Sequence, residues 1–280
     1  MWRAWLLASL CGALFAVSVD AQNAAALRAR HVALEKEFAH NPFGRPLHVE
    51  SSVSGSAHKG GVYAVLGQPY SVVGPALGRA GHWCDILVLQ VNVKRCEGNG
   101  EALAAYITRN ARDAVESAHS VEFRFGAIAA GADYLHVTLA SRSGPMGTRD
   151  FEIRLEAAPL DSRRTFIHMS YSYVLGFMAR NAMDAYLAGS GRDMRGFTVV
   201  ERLPDGKPVY VDGVRGVIER SAIRYYVAIE AYLDSLAAPE PERLDRRLRS
   251  WYAGTQRYPQ LREPVGADEY VEMKRREVTG

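Results

Sequence analysis

The chain has 280 residues, a formal net charge of +3 and 48% hydrophobic residues. So mild a charge excludes the strongly basic class typical of nucleic-acid-binding domains, and the apolar content is ordinary for a globular protein. We therefore expect one large domain, or one domain with a helical appendage, and no nucleic-acid partner.

The first residues, MWRAWLLASLCGALFAVSVDAQ, predict a signal peptide. Arg3 supplies a short basic region, and the apolar run from Leu6 to Val19 is shorter than the roughly 20 residues that a bilayer span needs. Small residues around Ala21 place the cleavage between Ala21 and Gln22 and predict a periplasmic location. The alternative is an uncleaved inner-membrane anchor.

The stretch GHWCDILVLQVNVKRCEG holds Cys84 and Cys96, the two cysteines left once Cys11 departs with the leader. Export favours a disulfide over a reactive thiol, and no CxxC or HxxxH spacing supports a metal site. One straight strand would separate the two Cα atoms by about 40 Å, whereas a disulfide tolerates roughly 4.4 to 6.8 Å. A bridge therefore requires a reversal, which a helical turn over Trp83–Leu87 before the strand-like 91–94 segment can supply.

In the first third, hydrophobic spacing and turn residues alternate between helix and strand patterns. Asn41-Pro42 ends the first helix, because the residue before a proline avoids the helical region. The predicted elements are a helix over Ala24–Ala39, a strand over Leu47–Ser56, a turn at Lys59–Gly61, a strand over Val62–Leu66 and a helix from Pro69 to Trp83 interrupted at Gly74-Pro75.

The middle of the chain is rich in β-branched and aromatic residues separated by short turn segments, which predicts an antiparallel meander. Glu101–Ala118 fits either a helix or a strand. The predicted meander strands are Val121–Ala130, Tyr134–Ser141, Phe151–Ala157 and Thr165–Val174.

Amphipathic spacing dominates the last third, with the clearest helix at Glu219–Leu236. LPDGKP predicts a hairpin between strands at Phe197–Val200 and Val209–Val211. Further helices are predicted over Met178–Ala188 and, rich in charge, over Glu242–Tyr252.

This order resembles the START-like (SRPBCC, helix-grip) superfamily, through GVYAVLGQPYSVVGPALGRAGHWCDIL, the four strands and RYYVAIEAYL. The resemblance implies an α+β fold in which a curved antiparallel sheet wraps a long C-terminal helix and leaves an apolar cavity. The resemblance covers 47–236, a START-like domain with an insertion at about 178–220. The remaining expected segments are the signal peptide at 1–21, an N-terminal helix at 22–46 and a charged helical extension at 237–280. WCDILVLQVNVKRC, GPMGTRDFEI, GVRGVIERSAIRYYVAIEAYL and the MKRRE tail look more closely like an uncharacterised family of exported proteobacterial proteins, which brings no established activity.

In the strand RTFIHMSYSY, side chains alternate between two faces. Met169, Tyr171 and Tyr173 share one face and are candidates to line a cavity, where the tyrosine hydroxyls would orient an apolar ligand. The alternative is that these tyrosines are ordinary core aromatics. His168 lies on the other face, and an inert histidine is favoured there over a general base because no nucleophile or acid has a diagnostic spacing.

Three further residues are candidates for holding a ligand's polar group. Arg149, in the loop SGPMGTRD, could bind a carboxylate or phosphate, although a plain hairpin turn is favoured and no phosphate-binding loop motif is present. Arg224 and Tyr225 could hold a head group beneath the insertion. Local pairing of Arg224 with Glu219 or with neighbours of Arg220 is the equal alternative.

Two basic clusters, Arg246-Arg247-Arg249 and Lys274-Arg275-Arg276, could touch an anionic membrane surface. Interspersed acidic residues favour a solvated helical face instead.

We expect a periplasmic protein that binds a hydrophobic small molecule or lipid without catalysis, and we predict no catalytic residues, metal or cofactor. A cavity-based enzyme of the cyclase or hydrolase type is the main alternative, since helix-grip relatives include such enzymes. It would require His168 or Arg149 to line an enclosed pocket near Tyr171 and Tyr173. The third possibility is a structural component of an envelope complex.

Overall fold

The computed structural model describes residues 19–130, 133–144, 147–189, 191–262 and 265–279. Most of the predicted leader therefore lies outside the described residues, and the predicted cut after Ala21 falls within the first helix. The helices are α1 (Val19–Ala33), α2 (Glu35–Ala39), α3 (Tyr70–Leu77), α4 (Ala80–Leu87), α5 (Phe177–Ala188), α6 (Gly213–Ser235), α7 (Glu240–Gln256) and α8 (Ala267–Thr279). None of them is both long and apolar enough to cross a membrane.

Eight strands form one antiparallel sheet in the order β1-β2-β8-β7-β6-β5-β4-β3. They are β1 (Leu47–Ser54), β2 (Ala57–Leu66), β3 (Val93–Asn99), β4 (Ala102–Ile107), β5 (His119–Ala130), β6 (Tyr134–Ser143), β7 (Thr148–Pro159) and β8 (Thr165–Leu175). The predicted meander is therefore confirmed, and the ambiguous 101–118 segment contains a strand. The predicted hairpin is also present, as β9 (Val199–Arg202) and β10 (Pro208–Tyr210).

One face of the sheet, here called the inner face, packs against α6, α3 and α4. Helix α6 supplies apolar side chains that join those of β1, β2 and β8 in the main core. The fold is therefore α+β with a sheet that grips its long helix, as predicted. The outer face carries α1, whose Leu27 packs in a second cluster with Tyr63 and Phe166. The predicted N-terminal helix is broken near Leu34 into α1 and α2.

The prediction of a turn at Lys59–Gly61 is wrong, because these residues lie within β2 and the turn falls at Gly55, whose φ is 57°. Gly60 has a packing role. A Cβ at this position would lie 2.6 Å from Ile218 Cγ2 and 3.3 Å from the Ile218 carbonyl oxygen. The glycine therefore lets α6 approach the sheet more closely than any side chain would permit.

The predicted interruption at Gly74-Pro75 is also wrong. Helix α3 runs through Pro75 to Leu77, and the break with α4 lies at Gly78 and Arg79. A proline inside a helix removes one backbone hydrogen bond. The carbonyl deprived of a partner belongs to Ser71, which is exposed, so water can supply the missing bond.

The disulfide between Cys84 and Cys96 joins α4 to β3, with the two Cα atoms 5.1 Å apart. The required reversal is present: α4 ends at Leu87, and hydrogen-bonded turns through Gln90 lead into β3. The predicted bridge is therefore confirmed. Because α4 also packs on α6, the disulfide ties one edge of the sheet to the helix layer.

The solvent exposure predicted for the two basic clusters is wrong for two of their residues. Lys274 is fully buried in α8, where its Nζ donates to the carbonyl oxygens of Val93 (2.6 Å) and Gln90 (3.1 Å) and to Glu277 Oε2 (2.8 Å). Arg247 is buried in α7, where it pairs with Asp85 and lies over the Tyr232 ring. Both cations hold the C-terminal extension against the domain.

Replacing Gly60 by alanine should lower the free energy of unfolding by about 1–3 kcal/mol, because the added methyl group forces α6 away from the sheet. Urea denaturation measures this change. Gly126→Ala is the matched control, since it adds the same methyl group to a strand where nothing lies within 4 Å. Equal stability of the two variants would contradict the packing role of Gly60.

Burial of Lys274 lowers its pKa from 10.5 to about 8. Between these values the unfolded chain binds more protons than the folded one, so the contribution of Lys274 to stability should rise with pH. We expect the unfolding free energy of the wild type relative to Lys274→Met to increase by roughly 2–3 kcal/mol from pH 7.5 to pH 10. Urea titrations check this, with Lys36→Met, at an exposed site, as control. A difference that stays flat or falls with pH would refute the prediction.

Candidate ligand-binding site

The predicted cavity residues Met169, Tyr171 and Tyr173 lie on the inner face of β8, and all three are buried. The hydroxyl of Tyr171 donates to the carbonyl oxygen of Ile218 in α6 at 3.0 Å. Burial raises the pKa of Tyr171 well above its usual value and that of Tyr173 to about 12. Both hydroxyls are therefore neutral at neutral pH, and that of Tyr171 is already used within the protein.

Five aromatic rings form a continuous cluster at this end of the inner face: Phe123, Phe151, Tyr171, Tyr173 and Tyr225. Neighbouring ring centroids lie 5.7–6.3 Å apart, within the range of favourable aromatic pairs. Phe151 and Tyr225 retain partial exposure. Protein aromatic side chains therefore occupy part of the space between β8 and α6 that the sequence suggested for a ligand.

The predicted polar candidates do not join this cluster as a group. Arg149 is exposed beside a β-bulge, opposite Val174. Arg224 points towards the C-terminal extension, where it donates to the Leu261 carbonyl oxygen at 3.4 Å. Tyr225, its neighbour in sequence, instead packs against Tyr171. Tyr225 is therefore the member of the three whose ring packs on the predicted tyrosines.

His168 lies on the outer face, as its alternation predicted, and faces away from Tyr171. Its Nδ1 is 3.1 Å from Glu156 Oε2, and its ring stacks on Tyr63 with centroids 4.1 Å apart. The hydrogen bond with His168 is the main cause that lowers the pKa of Glu156. Within the described residues, His168 faces the opposite side of the sheet from the two tyrosines and Arg149 is exposed, so neither matches the arrangement that the enzyme alternative required.

The role of Glu219 was missed by the sequence interpretation, which placed it in local pairs. Its fully buried carboxylate accepts four hydrogen bonds, from Ser51 Oγ in β1 and from Phe197 N, Thr198 N and Thr198 Oγ1 in the insertion. Only an acidic residue amid the apolar positions of α6 hinted at this role. Glu219 fixes Phe197 and Thr198 against the edge of the domain.

A pocket of about 640 Å³ lies beside this anchor, where three connecting segments meet. The 42–45 segment precedes β1, Phe197 and Tyr210 belong to the insertion, and the 257–260 segment follows α7. Phe43, Phe197 and Tyr258 pack as an aromatic triad with centroids 5.1–5.9 Å apart. None of these residues was predicted, because the segments that bring them together are remote in sequence.

Two guanidinium groups line the pocket, and their electrostatic states differ. Arg45 donates from both terminal nitrogens to the carboxylate of Glu230, so its charge is largely balanced. Arg257 is exposed and forms no ion pair with any residue that the structure describes. The pocket therefore offers an aromatic wall and one available cation. Among the described residues, no group of three or more potential metal ligands occurs.

Replacing Glu219 by glutamine should lower the free energy of unfolding by about 2–4 kcal/mol, because an amide nitrogen would face hydrogen-bond donors in a buried site. The 191–212 segment should also become more sensitive to limited proteolysis, since its anchor is weakened. Urea denaturation and peptide mapping measure the two effects. Glu201→Gln, on the exposed β9, is the matched control. An anchoring role is excluded if both variants match the wild type.

No protein-family model matches the chain, and no curated protein matches it significantly. Among solved structures, it is similar to a norcoclaurine synthase from Thalictrum flavum, with 12% identity, 48% of this chain and 86% of that one covered, and a TM-score of 0.36. It is also similar to the Zhui aromatase/cyclase from Streptomyces sp. R1128, with 11% identity, 50% of this chain and 86% of that one covered, and a TM-score of 0.32. A START superfamily protein from Mycobacterium smegmatis is similar too, with 12% identity, 51% of this chain and 88% of that one covered, and a TM-score of 0.32. The last is named for the superfamily that the sequence resembles, and the likeness concerns architecture alone.

Proposed function

We propose that the protein is exported to the periplasm, where it binds a hydrophobic small molecule or lipid that carries an anionic group, without catalysing a reaction. The leader sequence supports export. The observation that supports binding is the pocket in which an aromatic triad lies beside Arg257, which forms no ion pair with any described residue. Its volume falls within the roughly 300–1,000 Å³ typical of small-molecule sites.

The chemistry of the pocket defines the class of ligand. Phe43, Phe197 and Tyr258 offer ring faces to an apolar body, which would gain about 25 cal/mol for each Å² removed from water. Arg257 at the rim would bind a carboxylate or phosphate in a charge-assisted hydrogen bond. Because Arg45 is paired with Glu230, its side chain contributes more to the shape of the pocket than to its charge. The proposed site therefore lies outside the inner face that the resemblance suggested.

The absence of catalysis is proposed because of how the titratable side chains are arranged. The buried tyrosine hydroxyls on the inner face stay protonated at neutral pH, since burial raises the pKa of each. His168 is engaged with Glu156 on the outer face, away from both the tyrosines and the pocket. Neither the buried tyrosines nor the His168–Glu156 pair places an acid, a base and a nucleophile around one cavity.

The proposal predicts that decanoate binds in the pocket more tightly than decan-1-ol, which has the same chain without the charge. Isothermal titration should show that Arg257→Gln weakens decanoate binding about five- to tenfold, because one charge-assisted hydrogen bond is lost. The affinity for decan-1-ol should not change. Arg262→Gln, which removes an exposed arginine outside the pocket, is the matched control.

Native mass spectrometry of protein purified from the periplasm tests the same proposal with the natural ligand. We expect a bound molecule that denaturation releases, and a measured chain mass that matches the sequence starting at Gln22. Absence of decanoate binding by the wild type, or equal affinity in wild type and Arg257→Gln, would refute the assignment of the pocket. Recovery of the protein only in the cytoplasm would refute export.

A further inference from the structure

The first turn of α5 presents two consecutive large apolar side chains to solvent. Phe177 is 77% exposed and Met178 is 75% exposed, more than any other large apolar residue in the described part of the chain. Single exposed apolar residues are normal on a protein surface. An adjacent pair this exposed forms a projecting apolar patch, which is typical of an interaction site.

The exposed pair is held in place by the rest of α5. Ala179 is buried, and Met183, one helical turn later, packs partly against the main core. Phe177 and Met178 directly precede Ala179, so the geometry of the helix turns them away from that buried side. Phe177 and Met178 are therefore exposed because the other side of α5 is anchored to the core through Ala179 and Met183.

Two exposed arginines neighbour the apolar pair. Arg180 is three residues after Phe177 and thus on a neighbouring part of the helix surface. Arg149 lies opposite Val174, three residues before Phe177. Both arginines are exposed. We call these two arginines together with Phe177 and Met178 the α5 tip.

Arg149 and Arg180 form no ion pair with any residue that the structure describes. Elsewhere in the insertion, by contrast, Arg192 and Arg195 pair with Asp193 and Asp212. Asp150 and Asp184 are the nearest acidic residues in sequence. The α5 tip therefore combines an apolar pair with two guanidinium groups that form no ion pair within the described residues.

We propose that the α5 tip docks peripherally on an anionic lipid bilayer. At a membrane surface, Phe177 and Met178 would enter the boundary between headgroups and acyl chains, while the arginines contact lipid phosphates. Two apolar side chains bind a neutral membrane only weakly, so the charges make anionic lipid necessary. A second copy of the chain fits less well, because a two-fold contact would bring the arginines of both copies together.

This docking is independent of the pocket proposed above, and the two can be tested separately. Co-sedimentation uses vesicles of phosphatidylcholine alone and of equimolar phosphatidylcholine and phosphatidylglycerol. We expect the wild type to sediment with the anionic vesicles at low salt and to be released at high salt, because ionic screening weakens the attraction. It should stay in the supernatant with the neutral vesicles.

The double variant Phe177→Ser/Met178→Ser should bind anionic vesicles about tenfold more weakly, because it loses the apolar contact. Arg149→Glu/Arg180→Glu should lose binding to a similar extent. The matched control is Val200→Ser/Leu203→Ser, which alters another exposed apolar pair, 56% and 43% exposed, in the β9–β10 hairpin region. The control should bind like the wild type, and all variants should retain their affinity for decanoate.

The proposal is overturned if the wild type does not sediment with anionic vesicles, or if Phe177→Ser/Met178→Ser binds them as tightly as the wild type does. It is also overturned if size-exclusion chromatography shows a dimer that Phe177→Ser/Met178→Ser dissociates, with no binding to vesicles. In that case a second copy of the chain covers the patch. Loss of decanoate binding alone would refute the pocket and leave the membrane contact unaffected.

Discussion

The close approach of α6 to the sheet is the constraint on which the rest of the structure depends. It occurs where Gly60 in β2 faces Ile218, whose carbonyl oxygen also accepts the hydroxyl hydrogen bond of Tyr171. The next residue, Glu219, bonds to β1 and to the insertion. One turn of α6 therefore packs the main core through Ile218 and fixes the segment that lines the pocket through Glu219.

This contact also bears on where a ligand can lie. Tyr171 and its aromatic neighbours pack in the main core and occupy part of the space between β8 and α6. The pocket lies instead where the N-terminal linker, the insertion and the C-terminal extension meet. The added segments therefore do more than cover the surface, since together they form a site that the sheet and α6 alone do not provide.

Buried cations attach the C-terminal extension to the domain. Lys274 and Lys94 both pair with Glu277, while main-chain carbonyl oxygens accept their remaining hydrogen bonds. Burying an ammonium group is unfavourable unless it is paired and hydrogen-bonded. Such an arrangement depends on geometry, so it specifies one position for α8 on the sheet. The same extension supplies Arg257 and Tyr258 to the pocket.

The sequence by itself determined the meander, the gripping helix, the sides of β8 to which His168 and Tyr171 point, and the cysteine pair. Each of these depends on period-two or helical spacing, or on few cysteines, all of which can be read locally. Only the tertiary structure decided the packing role of Gly60, the burial of Lys274, the hydrogen bonds of Glu219 and the position of the pocket. Their partners lie far away along the chain, 168 residues for Ser51 and Glu219 and 181 for Val93 and Lys274, and local patterns carry no information about such contacts.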